Sequence, residues 1–241
     1  MLTRAAALLV ALSLLSLSSP GQQPDLNPSG DAEHPVIPTV TFTLDWPGAD
    51  PEHYVLTIDS SARAAYESAG GTRFLLGDPY SVKFTIAATT RDRIFDLTRA
   101  LDYFHRDVDY KKGKIAFTGR KTLSYADSAR NFQTSYNWSD NASARQLTDL
   151  LQGIATTLEF GRALDYLHRH DRLGLNAELK RMDEVAANGQ LAELQVLAPQ
   201  LESIAGDSSV MEIARQKARR LLQRADANQG KVRSQATINT K

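Results

Sequence analysis

Cysteine is absent from this 241-residue chain. Its absence excludes disulfides, a lipid-modified cysteine, thiolate metal sites and a cysteine nucleophile. An excess of charge of one sign is missing too, because 28 Lys+Arg balance 28 Asp+Glu. Nucleic-acid binding driven by overall charge is therefore disfavoured, and no nucleic-acid partner is expected. After the N-terminus no apolar run approaches the roughly 20 residues that a membrane span needs. There is no P-loop, Rossmann glycine pattern, H-E-x-x-H pair or G-x-S-x-G elbow, so no cofactor is expected.

What is present begins with Arg4 and an apolar run from Ala5 to Leu17, broken only by Ser13 and Ser16. Small residues follow at Ser18, Ser19 and Gly21. This layout predicts a secretory signal peptide over residues 1–21, cut after Gly21 to leave Gln22 first. A retained N-terminal anchor is the alternative. Export without cysteine points to a bacterial periplasmic or extracellular protein, since eukaryotic secreted chains of this size usually carry disulfides. Gln22 to Pro38 holds four prolines among polar residues and reads as a disordered linker.

The patterned region opens with Val40, Phe42 and Leu44 alternating with Thr41 and Thr43, a strand ended by Trp46-Pro47-Gly48. Tyr54, Leu56 and Ile58 predict a second strand, Asp59-Ser60-Ser61 an Asx-type turn, and Arg63 to Glu67 a third strand. Tyr80 to Asp107 reads as strand, cap and helix in one segment. Val82, Phe84 and Ile86 alternate, Thr89-Thr90 offers an N-cap, and Ile94, Leu97, Leu101 and Phe104 fall on one helical stripe. A hairpin of Ile115–Thr118 and Thr122–Tyr125 around Gly119-Arg120 is expected next. A strand with Phe132, Thr134, Tyr136 and Trp138 on one face follows, and then Ser139-Asp140-Asn141 as a cap.

Self-similarity suggests that this region is doubled. At a shift of 59, Leu56-Thr57-Ile58 matches Ile115-Ala116-Phe117, and Tyr66 matches Tyr125. At a shift of 50, Val82 and Ile86 match Phe132 and Tyr136, and Leu97 and Leu101 match Leu147 and Leu151. The octapeptide Arg99 to Arg106 recurs as Arg162 to Arg169, differing only at Phe104/Leu167, but at a shift of 63. Both shifts hold in one helix only if that helix is elongated or broken between Gln152 and Leu164. The expected fold class is α+β. Duplicated hairpin–strand–helix units build an antiparallel sheet of six or seven strands over residues 39–153, with helices on one face.

Residues 154–225 read as a C-terminal helical layer. Asn176 and Asp207-Ser208-Ser209 offer caps, Asn188-Gly189 a helix end, and Pro199 a kink or a new start. Residues 226–241 are polar and unpatterned, which predicts a disordered tail.

Two motifs carry the sharpest chemistry: Asp102-x-x-His105 and Asp165-x-x-His168. Spacing of i and i+3 puts carboxylate and imidazole on one helix face. Four metal ligands would converge if the two helices faced each other. The arrangement is similar to the Glu-x-x-His pairs of carboxylate di-metal bundles, but it uses Asp and lacks the bridging carboxylates. The plainer expectation is two surface pairs at helix ends, where His suits the dipole. His168-x-His170 points opposite ways on a helix. Arg215, Lys217, Arg219, Arg220 and Arg224 form a basic last helix without a narrow stripe, as a solvated face would. Trp46, Trp138, Tyr136, Tyr125 and Tyr66 either line a carbohydrate or peptide groove or fill the sheet–helix core.

The functional expectation is an exported, non-catalytic binding or adaptor protein. Its partner would be another envelope or extracellular protein, met by the uncovered sheet face or the C-terminal helices. The alternative is a metal-dependent or hydrolytic enzyme using the two Asp–His pairs.

Overall fold

Alternation along the strands decides which side of the sheet faces inward. The computed structural model describes residues 36–69 and 79–238. The expected signal peptide, most of the 22–38 linker and residues 70–78 lie outside the described residues. Six strands form one antiparallel sheet: β1 (Thr39–Asp45), β2 (His53–Asp59), β3 (Arg63–Ala69), β4 (Tyr80–Thr85), β5 (Arg120–Ala126) and β6 (Asn131–Tyr136). Their spatial order is β4-β3-β2-β1-β5-β6. Val40, Phe42 and Leu44 of β1 and Tyr54, Leu56 and Ile58 of β2 are buried. The intervening Thr39, Thr41, Thr43 and Thr57 occupy the other face and stay part-exposed, where β-branched hydroxyl residues suit a pleated surface. Phe42 pairs with Leu56 and Leu123, and Thr41 with Thr57 and Ser124. A slip of one residue would exchange the two faces, so burial pins the register.

Helices α1 (Ala88–Ala100) and α2 (Ala142–His170) cover the apolar face. Ile94 and Leu97 of α1 join Leu147, Leu151, Ile154 and Leu158 of α2 in one core with Phe42, Leu56 and Tyr66. The fold is α+β. Asn141 caps α2 as expected, its side-chain oxygen accepting from the N–H groups of Ser143 and Ala144 at 2.9 and 3.2 Å. At 29 residues, α2 is about 43 Å long at 1.5 Å per residue. Its second half leaves the sheet and enters another core. There Phe160, Leu164 and Leu167 pack with residues of α3 (Leu175–Ala187), α4 (Ala198–Gly206) and α5 (Glu212–Ile238). One continuous helix thus crosses the boundary expected at residues 153/154.

Several local expectations give way to tertiary context. No strand forms at Ile115–Thr118; Phe117 is exposed, and Arg120 begins β5 instead of turning a hairpin. Both edges of β5 are already paired, with β1 and β6, so an additional strand has nowhere to bond there. The Asn137 side chain takes that segment, accepting from the Thr118 N–H at 2.8 Å and donating to the Ala116 carbonyl at 3.0 Å. Asn176 does not cap α3, whose N-cap is Gly174; its side chain accepts from Lys217 Nζ. Asp207 organises the α4–α5 turn through the Ser209 N–H and hydroxyl, at 2.8 and 2.5 Å. Pro199 opens α4. Helix α5 runs to Ile238, past the point where polar composition predicts a tail, because extending a formed helix adds a hydrogen bond for each residue fixed.

The N-terminus of α1 shows the same dependence. Its N-cap is Ala87, with no local side-chain cap, rather than Thr89-Thr90. The Glu193 carboxylate supplies the acceptor from across the fold. It takes the Ala87 N–H at 2.7 Å, the Thr90 hydroxyl at 2.5 Å and the Gln195 amide at 2.5 Å.

The repeated octapeptide adopts two conformations. Residues 162–169 lie within α2 and are helical. In the first copy α1 stops at Ala100, and Asp102, Tyr103 and Phe104 take φ values of 52°, 55° and 68°. Left-handed geometry costs roughly 1–2 kcal/mol per residue for non-glycine side chains. Phe104 offsets this by complete burial, and Tyr103 packs 4.8 Å from Tyr125 with the Arg130 guanidinium 3.9 Å over its ring. The second copy meets no reversal. Leu164 and Leu167 already face the helical core, and Asp165 bonds Arg169 one turn on at 2.7 Å.

Candidate functional site

The two Asp–His pairs have separate neighbourhoods. Asp102 and His105 are more than half exposed and 3.9 Å apart. Asp102 pairs with Arg106 at 3.2 Å, and the His105 ring lies 4.8 Å from Phe132. In the second motif Asp165 pairs with Arg169, and His168 turns to Asp207 at 2.9 Å. Hydrogen bonds from the Ser209 hydroxyl and then from His168 hold the Asp207 carboxyl well below the ordinary carboxylate range. The four residues do not converge. Among the described residues no group of three or more His, Asp or Glu gathers as metal ligands. His170 stacks on Tyr166 at 4.9 Å. The basic residues of α5 are spent locally: Arg215 and Arg219 on Glu212, and Arg220 and Arg224 on Asp183.

The tyrosines lead to a different place. Helix α2 crosses one end of the sheet, where β1, β3 and β6 finish and β2, β4 and β5 begin. Tyr136 of β6 shares a 2.5 Å hydrogen bond with the Thr148 hydroxyl. Tyr54 of β2 lies beside Gln152. The Tyr66 hydroxyl of β3 donates to Glu159 at 2.8 Å, and Ser68 donates to the same oxygen at 2.7 Å. Tyr80 of β4 lies under the Arg162 guanidinium at 5.2 Å. Burial pushes the Tyr136 hydroxyl up to about 12 and those of Tyr54 and Tyr66 further. All three therefore stay neutral at any physiological pH. Each large ring fills the core while its oxygen meets the helix, and this row of contacts sets how α2 lies across the strands.

On the outer side of this row, the strand-end loops and α2 enclose a cleft. One chamber of 270 Å³ is lined by Trp46, Lys121, Trp138, Arg145, Asp149 and Gln152, among others. The next, of 210 Å³, has Trp46, Tyr54, Gln152, Thr156, Glu159 and Arg181 in its walls. Trp46 and Gln152 belong to both. The α2 residues lining the cleft recur at three- and four-residue steps, so one helix face supplies the wall.

The walls are held firmly. Gly119 sits at φ +90°, and a Cβ there would come within 2.9 Å of Trp46 Cβ, so the loop before β5 admits only glycine beneath that indole. Lys121 is almost fully buried. Its ammonium donates to the carbonyls of Asn137 at 2.8 Å, Thr118 at 3.0 Å and Gly119 at 3.2 Å. Desolvation lowers its pKa. With its protons already given to carbonyls, it ties the two loops together. Trp138 meets Tyr110 edge-on at 5.0 Å and carries the Arg145 guanidinium 5.7 Å over its ring.

Trp46 and Trp138 are 37% and 36% exposed, and both line the first chamber. The aromatic set therefore divides. Tyr66 and Tyr136 serve core and cleft together, and Tyr125 is buried elsewhere, its hydroxyl donating to Asp127 at 2.8 Å. Asp149, Gln152, Glu159 and Arg145 were not singled out in the sequence; their spacing along one helix was the available signal. A broader depression of 570 Å³ on the open sheet face is lined by Thr39, Thr57, Arg63 and Lys83, and Arg63 is paired there with Asp59 at 2.8 Å. No helix among the described residues is long and apolar enough to cross a membrane. No family model matches the chain, and no curated protein matches it.

Proposed function

We propose that this chain is an exported, non-catalytic binding protein whose ligand enters the cleft between α2 and the strand ends. The observation that carries the reading is the pair of part-exposed indoles standing over a polar floor whose geometry is fixed by the tyrosine contacts. A concave site with exposed aromatic surface and polar groups held in place is suited to recognition. Lys121 is consumed by carbonyls and Glu159 by hydroxyls, so the cleft presents no nucleophile–base pair. The enzymatic alternative needs the Asp–His pairs together, and each pair keeps its own partners.

The two flanking units, β3-β4-α1 and β5-β6-α2, are read as related halves. Supporting this, Tyr66 and Tyr125 fall in corresponding inner strands, Val82 and Phe132 in corresponding edge strands. The place corresponding to β2 is taken by β1.

The test is site-specific photocrosslinking in producing cells, with the reactive group at Asp149 and, separately, at Thr41 on the open sheet face. An adduct at Asp149 and none at Thr41 is the expected result. The reverse pattern would move the binding surface to the sheet face. N-terminal sequencing of the recovered protein should begin at Gln22; an intact Met1 terminus in the cytoplasmic fraction would refute export.

A further inference from the structure

The cleft's chemistry narrows the ligand class, on the footing that the cleft is the binding site. Its two chambers are lined by three cations, Lys121, Arg145 and Arg181, and three carboxylates, Asp50, Asp149 and Glu159. The balance offers no net field to a polyanion or to a basic peptide. The cleft also runs across the ends of the strands rather than along an edge. It presents no row of backbone N–H and C=O groups with which an extended peptide could pair.

What it does present is aromatic surface with planar polar groups between. The only two tryptophans in the chain both border it. Asp149 is exposed and makes no hydrogen bond or ion pair among the described residues. Arg145 uses one N–H on the Ser139 carbonyl at 3.2 Å, which leaves further donors in a fixed fork. Thr156 gives its proton to the Gln152 carbonyl at 2.8 Å and keeps an accepting oxygen for the second chamber. A ligand matching this set is uncharged, has flat C–H-rich faces for the indoles, and carries hydroxyls around its rim for Asp149, Arg145 and Thr156. Sugar rings have that form: axial and ring C–H groups on the faces, hydroxyls at the edge.

We infer that the cleft binds a neutral oligosaccharide, with one ring against Trp138 and a neighbouring ring against Trp46, and Asp149 accepting from hydroxyls between them. Charged phosphate and extended peptide are the competing ligand chemistries, and they are arms of the test.

Both tryptophans lie at the site, so intrinsic fluorescence reads it without a label. The probes are cello-, chito- and manno-oligosaccharides of four to six residues, a polyproline decapeptide and inorganic phosphate, each added to the full mature chain. At least one oligosaccharide should shift the emission and protect the indoles from acrylamide quenching. Trp138→Ala and Asp149→Asn should each weaken that binding at least fivefold, and Asp149→Asn should do so with unchanged melting temperature. Trp46→Phe, which keeps an aromatic over Gly119, should weaken it less than Trp138→Ala does.

Protection by the peptide or phosphate with none from any sugar would overturn the saccharide assignment while leaving the cleft as the site. Sugar binding that neither Trp138→Ala nor Asp149→Asn weakens would overturn the cleft reading as well. Absence of protection by every probe, together with photocrosslinking only at Thr41, would overturn both.

Discussion

Glu193 offers the sharpest test of how this fold is held, because its carboxylate performs a task that helix starts normally assign to a neighbour in sequence. It is buried at 8% exposure, sits at φ +58°, and accepts three hydrogen bonds, two of them from the start of α1. Replacing it with alanine leaves the Ala87 N–H and the Thr90 hydroxyl without their acceptor. Loss of a helix cap costs about 0.5–2 kcal/mol, and a buried donor left unsatisfied costs about 1–3 kcal/mol. The two figures overlap, since the Ala87 N–H is counted in both, so Glu193→Ala is expected to destabilise by about 3 kcal/mol. For a domain of this size that is about 6–12 °C in melting temperature. Glu193→Gln keeps one acceptor oxygen but loses the charge, and should cost about half as much. Glu193→Gly also loses the cap, but glycine accepts positive φ freely and recovers up to about 1 kcal/mol of the loss. Urea unfolding monitored by far-UV circular dichroism measures all three. The expected order of stability is wild type, Gln, Gly, Ala. A Glu193→Ala protein within about 0.5 kcal/mol of wild type would refute the long-range cap.

Three further outcomes follow from the structure. Gly161→Ala places a Cβ 2.5 Å from Leu197 Cδ2, whereas at Gly153 the nearest atoms are 3.3 Å away. Differential scanning calorimetry should therefore show a loss of about 1–3 kcal/mol for the first, and a change within about 1 kcal/mol of zero for the second, where helix propensity favours alanine. Asp207 has a carboxyl held below its ordinary pKa, so it contributes stability that is present above its unfolded value near pH 4 and is lost as pH falls towards the folded value. Asp207→Asn should flatten the acid limb of a stability-versus-pH curve below about pH 4. Phe104→Ala should cost about 3–5 kcal/mol in equilibrium unfolding, the range for a fully buried phenylalanine; Phe104→Leu, which copies the second octapeptide, should cost less and add no helix to the circular dichroism spectrum.

Period-two alternation located β1, β2 and β4, since one face of each strand is more buried than the other and the pattern is local. Asn141, three residues before the first buried residue of α2, was legible as a cap for the same reason. The Ile115–Thr118 strand was not excluded by any local rule, because its failure depends on β1 already occupying the edge of β5. The aromatic residues of the site were visible as a set. Their division between core and cleft was not, because that depends on where α2 crosses the sheet.

The sequence by itself determined the strand faces, the apolar stripes of the helices, the turn at Asp59-Ser60-Ser61 and the opening of α4 at Pro199. These follow from side-chain alternation, helical spacing and backbone preference within a few residues. Tertiary structure alone decided that α1 is capped by a carboxylate 106 residues away, and that one octapeptide is helix at residue 162 and a left-handed turn at residue 102. It also decided that two distant tryptophans face one cleft. In each case the deciding term is a buried donor, a buried ring or a closed gap between elements far apart in the chain, and such terms exist only once those elements are packed.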